Sequence, residues 1–208
     1  MLRHIIEQDF YFQDTITVAE QLIGKRIVVE QNGHRLTGII YETEAYLGLE
    51  DPACHSSHGL VTPRTKTFYL PGGHSYVYLI YGMYYCYNII TRTAQEPEAV
   101  LIRAVFPELG KEFMQKNSPH IKKVVKFANG PGKFCRAFAI DKSFNELPVF
   151  TKNSIYIEYT PINIPSSEIE CGPRIGIDYA GDASQWPLRF YYPSEKLKNL
   201  DLNLQIKY

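Results

Sequence analysis

The sequence predicts an α+β fold: a single domain with a curved, mostly antiparallel sheet, short surrounding helices and a protruding β-hairpin. Three observations predict it. Two pairs of β-branched and aromatic stretches are joined by tight-turn signals, at Asn32-Gly33 and at Tyr81-Gly82. Further strand-like runs follow at 98–106, 154–160 and 188–192, whereas the helical patterns between them are short. The chain has 208 residues, 45% hydrophobic and 21% charged, which suits one globular domain with a proper core.

Taken in order, 9–12 is an aromatic lead-in, and Thr17 with Glu20 forms a capping-box pattern opening a helix. That helix is expected to reach residue 23, where Gly24 stops it. Residues 25–30 alternate as a strand, residues 31–34 supply the Asn-Gly turn, and 38–46 is the return strand. The stretch 48–73 is turn-rich, and a connection of that length in a small domain is more often functional than idle. Residues 75–90 read as a second hairpin, with Tyr81 and Gly82 near its tip. Tyr85 and Tyr87 suit the core, but a tyrosine at a tip buries nothing until a partner arrives. The strand 98–106 is expected to end at Pro107, with a short helix over 107–116. Pro131 sits at an allowed first-turn position of a helix through 140, the surroundings of Gly172-Pro173-Arg174 read as connecting structure, and the tail 193–208 carries no pattern.

Composition narrows the function. The formal net charge is zero, so no global field draws the chain to nucleic acid or membrane, and a polyanion would need a local patch. Lys122, Lys123 and Lys126 are the best such patch, although a solvated face explains them equally well. The apolar run 77–90 is shorter than a membrane span and interrupted. Glu7 and Asp9 and the lack of an apolar core argue against a secretion signal. Cys54, Cys86, Cys135 and Cys171 are scattered with no C-x-x-C pair, which suits reduced thiols and a cytoplasmic setting (nuclear, if the source is eukaryotic).

The chemistry concentrates in 38–46. On a strand Glu42, Glu44 and Tyr46 share one face, beside a buried-looking Ile39-Ile40 pair. A partly desolvated carboxylate there has a pKa suited to a general base, whereas on an exposed strand end both would simply face water. Arg103, in an otherwise apolar run, demands a partner. Three readings compete. Cys54, His55, His58 and His74 could serve a metal hydrolase, but their spacing is not that of a zincin. The 16 tyrosines could stack bases in a non-catalytic nucleic-acid module. An enzyme acting on a base extruded from a duplex needs aromatic walls, a wedge and a water-activating carboxylate, and 42–88 offers all three.

The motifs Glu42-Thr43-Glu44-Ala45-Tyr46-Leu47-Gly48, Glu50-Asp51 with His55, Thr62-Pro63-Arg64 and 76–84 with Asn88 resemble the 3-methyladenine (alkyladenine) DNA glycosylase family. So do 99–104, Gly130-Pro131-Gly132-Lys133 and Pro187-Leu188-Arg189-Phe190-Tyr191, in the same order, over about residues 9–192. The resemblance implies a monofunctional, cofactor-free and metal-free glycosylase of base excision repair, a monomer that acts on duplex DNA containing alkylated or deaminated purines. It implies Glu44 as general base, with Arg103 positioning water and carboxylate. Tyr46 and His55 would sandwich the flipped base, Tyr78 would close the pocket, and Asn88 would disfavour the 2-amino group of guanine. Tyr81 would enter the duplex from the hairpin tip, and Arg64 and Lys133 would meet the DNA backbone. No residue is assigned as a Schiff-base lysine, so strand cleavage is not expected.

Overall fold

In the computed structural model, residues 4–193, 196 and 197 are described; the expectation for the remaining C-terminal tail lies outside them. The sheet runs β3 (Ser75–Ile80), β4 (Tyr84–Thr91), β5 (Glu98–Leu109), β2 (His34–Tyr46), β1 (Arg26–Gln31) and β6 (Ile155–Glu158), and its first hairpin pairs β1 with β2. Their turn is the expected one: Asn32 (φ 50°) and Gly33 (φ 74°) are both left-handed, as a primed two-residue turn requires. The second hairpin, β3 (Ser75–Ile80) with β4 (Tyr84–Thr91), turns at Tyr81 (φ 54°) and Gly82 (φ 69°).

β2 organises the sheet. Along one edge it pairs from Thr37 to Tyr46 with β5 (Glu98–Leu109). Its other edge is divided: 34–39 pair with β1, whereas 42–44 pair with β8 (Arg189–Tyr191), which also carries the short β7 (Glu170–Gly172). Two strands thus diverge from one edge, and the sheet curls about the gap. Register shifts in the β2–β5 ladder lie at the same place: Tyr41 is extra on β2 between Ile40 and Glu42, and Arg103 is extra on β5 between Ala104 and Ile102. Such bulges re-aim side chains. Here they turn Arg103 toward the β2 carboxylates. A third shift sits at Gly38, where a Cβ would come within 2.8 Å of the Phe106 carbonyl oxygen.

Several boundaries differ from expectation for local reasons. The first helix, α1 (Thr15–Leu22), starts earlier because Asp14 rather than Thr17 caps it, accepting from the Ile16 and Thr17 amides. Strand β5 passes through Pro107 instead of ending there. Pro107 faces Gly38 at the irregular point of the ladder, and a missing N–H is tolerated at such a point. The helix expected over 107–116 is therefore delayed to α2 (Lys111–Asn117), and α3 (Pro131–Ala137) is shorter than expected. The strand expected over 154–160 contracts to β6 (Ile155–Glu158).

The core lies between the sheet and its helices, with Ile39, Ile40, Tyr87, Phe134 and Phe138 fully buried. Each large apolar side chain contributes roughly 1.5–3 kcal/mol by leaving water. Thr43, pointing to the face opposite the glutamates, donates to the Ala19 carbonyl at 2.8 Å and so pins α1 behind the site. Among the described residues no helix is long and apolar enough to cross a membrane.

Candidate active site

The end of β2 carries Glu42, Glu44 and Tyr46 to one face, as the period of two requires. Glu44 has no exposed surface. Both of its oxygens are bonded: Oε1 accepts from the Ile175 amide (2.8 Å) and pairs with Arg103 Nη1 (3.2 Å), while Oε2 accepts from the Tyr46 hydroxyl (2.9 Å). Burial raises the Glu44 pKa above the usual carboxylate value, against the opposing pull of Arg103, the Ile175 amide and the Tyr46 hydroxyl. Glu42 is held differently. Its Oε1 takes Arg103 Nε at 2.9 Å and Arg189 Nη1 at 3.1 Å, so two guanidinium groups occupy it. The pair of carboxylates therefore divides into an ion-pair anchor and a buried acid behind the site wall.

In front of Glu44 is a cavity of about 400 Å³, at the small end of ligand-pocket sizes. Its walls include Tyr46, His55, Arg64, Tyr78, Asn88 and Arg103, with Tyr81 at its margin. Glu44 stands one hydrogen bond behind this wall, since Tyr46, Arg103 and Ile175 all line the cavity. The His55 ring packs edge-on to Tyr78 with centroids 4.6 Å apart. Arg64 lies over the Tyr78 ring at 4.8 Å, and its Nη2 is 3.2 Å from His55 Nε2. A guanidinium can only donate, so Nε2 is the acceptor, and Nδ1 carries the proton and donates to the Tyr76 hydroxyl at 2.9 Å. Burial, reinforced by Arg64, lowers the His55 pKa to about 4, so the ring is neutral near pH 7. Asn88 is buried, its amide nitrogen donating to the Tyr76 carbonyl at 3.1 Å.

Sequence reasoning missed Asp51 and Arg174 as a pair. Both side chains are fully buried, and Arg174 grips Asp51 with Nη1 (2.5 Å) and Nη2 (2.8 Å). Arg174 also donates to the Ala45 carbonyl and lies 4.7 Å from the Tyr46 ring centroid, while Asp51 accepts from the amides of Leu47 and Ala53. The clamp thus holds the Tyr46 ring from behind and delivers the next residue's amide, that of Ile175, to Glu44. The residues around Arg174, expected as a mere connection, begin with strand β7 and complete the site.

The hydrolase grouping does not assemble. Cys54 bonds Ser56, His58 is exposed, His74 is 2.7 Å from the Pro71 carbonyl oxygen, and among the described residues no three metal-ligating side chains converge. Lys133 is exposed on α3, its Nζ donating to the Asn129 side chain. Tyr81 is 79% exposed at the hairpin tip, beside exposed Leu79 and Met83.

The site is thus an aromatic slot backed by a buried, multiply bonded carboxylate on a curled α+β sheet. The chain matches the family model described as Methylpurine-DNA glycosylase over residues 9–196. It is 47% identical over 188 residues to a protein of Bdellovibrio bacteriovorus, covering 90% of this chain and 94% of that one. Proteins of Desulfitobacterium hafniense and Methanocella arvoryzae are each 42% identical, covering 88% and 90% of this chain and 93% and 92% of their own lengths. All three bear the name "Putative 3-methyladenine DNA glycosylase". The chain belongs to the methylpurine-DNA glycosylase family.

Proposed function

We propose that this DNA glycosylase takes a single damaged purine, flipped from duplex DNA, into the cavity beside Tyr46 and hydrolyses its N-glycosidic bond with water activated by Glu44. The family assignment gives the reaction class: a hydrolase of N-glycosyl bonds acting in base excision repair. The observation that carries the proposed mechanism is Glu44 itself, a fully buried acid bonded to three residues that line an aromatic cavity. Bond cleavage at the sugar builds positive charge on the anomeric carbon, as in other glycoside chemistry. A carboxylate beside it stabilises that charge and accepts the proton of the attacking water. Arg103 holds carboxylate and water in register, and its charge is offset by Glu42.

Tyr46, His55 and Tyr78 supply ring faces and edges for the base, and Asn88 narrows the floor. A purine nucleoside alkylated at N3 or N7 carries positive charge, which aromatic faces attract and which already makes the base a good leaving group. Flipping costs a few kcal/mol, least for a damaged or mispaired base. Tyr81 fills the vacated stack, and Arg64 and Lys133 meet phosphates. Arg64 stands at the slot against His55 and Tyr78.

Glu44→Gln preserves shape and removes the base. Release of 3-methyladenine from a methylated duplex should fall by at least about 10²–10⁴-fold, with affinity for abasic-site duplex nearly intact. Release at the wild-type rate would overturn the assignment of Glu44.

A further inference from the structure

Three hollows run side by side over the surface. The base cavity shares Pro131 with a second hollow of about 320 Å³ that includes Tyr84, Lys133 and Arg136. That hollow shares Ile121 and Lys133 with a third, of about 340 Å³, bordered by His120, Lys122, Lys123 and Lys126. The sequence beneath them is one-sided. From 113 to 140 it holds six Lys and Arg and no Asp or Glu, in a chain whose formal net charge is zero. The rest of the molecule therefore carries a compensating net negative charge, and the positive potential is concentrated along this path. Lys122, Lys123 and Lys126 are exposed, and among the described residues no carboxylate is recorded in an ion pair with them or with Lys133.

We propose that this path is a track for the duplex backbone: DNA flanking the flipped nucleotide lies along it, with Lys122, Lys123 and Lys126 meeting phosphates beyond those reached at Lys133. The proposal rests on the reading of the cavity as the base slot, because the slot fixes where the duplex enters. A duplex carries one charge per about 1.7 Å of axis, so a row of ammonium groups leading away from the slot meets successive phosphates without reading sequence. Compact lysine ammoniums suit this role, as they neutralise phosphate as point charges rather than by bidentate geometry. The track would supply affinity for any duplex and leave recognition of damage to the slot.

The test is the salt dependence of duplex binding by the full chain, measured by fluorescence anisotropy on undamaged and abasic-site duplexes. Replacing Lys122, Lys123 and Lys126 together by Gln should lower the slope of log K against log salt by about 2–3. At about 0.1 M salt the affinity should fall by at least about ten-fold, by the same factor on both duplexes. Replacing the same three by Arg should keep the slope. An unchanged slope in the Gln variant would overturn the track. So would an equal fall from Lys25→Gln with Lys111→Gln and Lys152→Gln, three positions outside the segment, since that would be a net-charge effect alone. Base release by the wild-type protein on a methylated duplex reports on the slot independently. Release together with an unchanged slope would remove the track and leave the slot standing.

Discussion

The floor of the slot and the tip of the β3–β4 hairpin are built on opposite rules. Behind the floor, Glu44 is fully buried, both of its oxygens are bonded, and a salt bridge with no solvent contact lies behind it. At the tip, Tyr81 is 79% exposed and Met83 66%, on a turn whose two central residues both have positive φ. The contrast fits the roles proposed for each. A base must be held in place before the reaction, because orienting it afterwards would add to the barrier. A wedge must be free until DNA arrives, because its contacts are made with the gap it fills. Polar contacts are thus concentrated at the acid, and apolar exposure at the hairpin.

Breaking the floor should have the largest effect. Arg174→Met leaves Asp51 buried without its partner, and such a loss costs about 3–5 kcal/mol. Denaturant titration should register that fall, and base release by the remaining folded fraction should fall too, because the Ile175 amide and the Tyr46 ring lose their common support. A variant with wild-type stability would refute the clamp. Disturbing the tip should cost less and act only on binding. Tyr81→Ser should weaken capture of lesion-bearing duplex by about 1–3 kcal/mol, the scale of one lost base–aromatic contact, with no change in the unfolding midpoint. Unchanged affinity would strip Tyr81 of its wedge role.

The same contrast explains what the sequence disclosed. The hairpins were legible because their turns are local: Asn32-Gly33 carries its own conformational demand. Glu42, Glu44 and Tyr46 could be placed on one face from the strand period alone, and Arg103 announced its need for a partner by its apolar neighbours. Arg174 gave no such signal. It meets Asp51 from 123 positions away, and the amide after it meets Glu44 from 131. The paired bulges at Tyr41 and Arg103 were equally silent, since they arise where β1 and β8 part along β2. Local chemistry marked the residues of the slot, and long-range topology decided which were braced. Asp14 took the cap from Thr17 for a simpler reason, a better acceptor placed one residue before the helix.

The central claim is that a buried carboxylate at Glu44 performs the chemistry, and its own titration tests this most directly. The acid is active only when deprotonated, and burial raises its pKa, so single-turnover base release should fall with decreasing pH through a midpoint above that of an ordinary glutamate. Arg103 pulls that pKa down, so Arg103→Gln should slow release and move the acidic limb to higher pH. His55, neutral down to about pH 4, should not contribute in the same window. A measured limb that stays in place when Arg103 is replaced, or a rate independent of pH across that window, would contradict the assignment of Glu44 as the base.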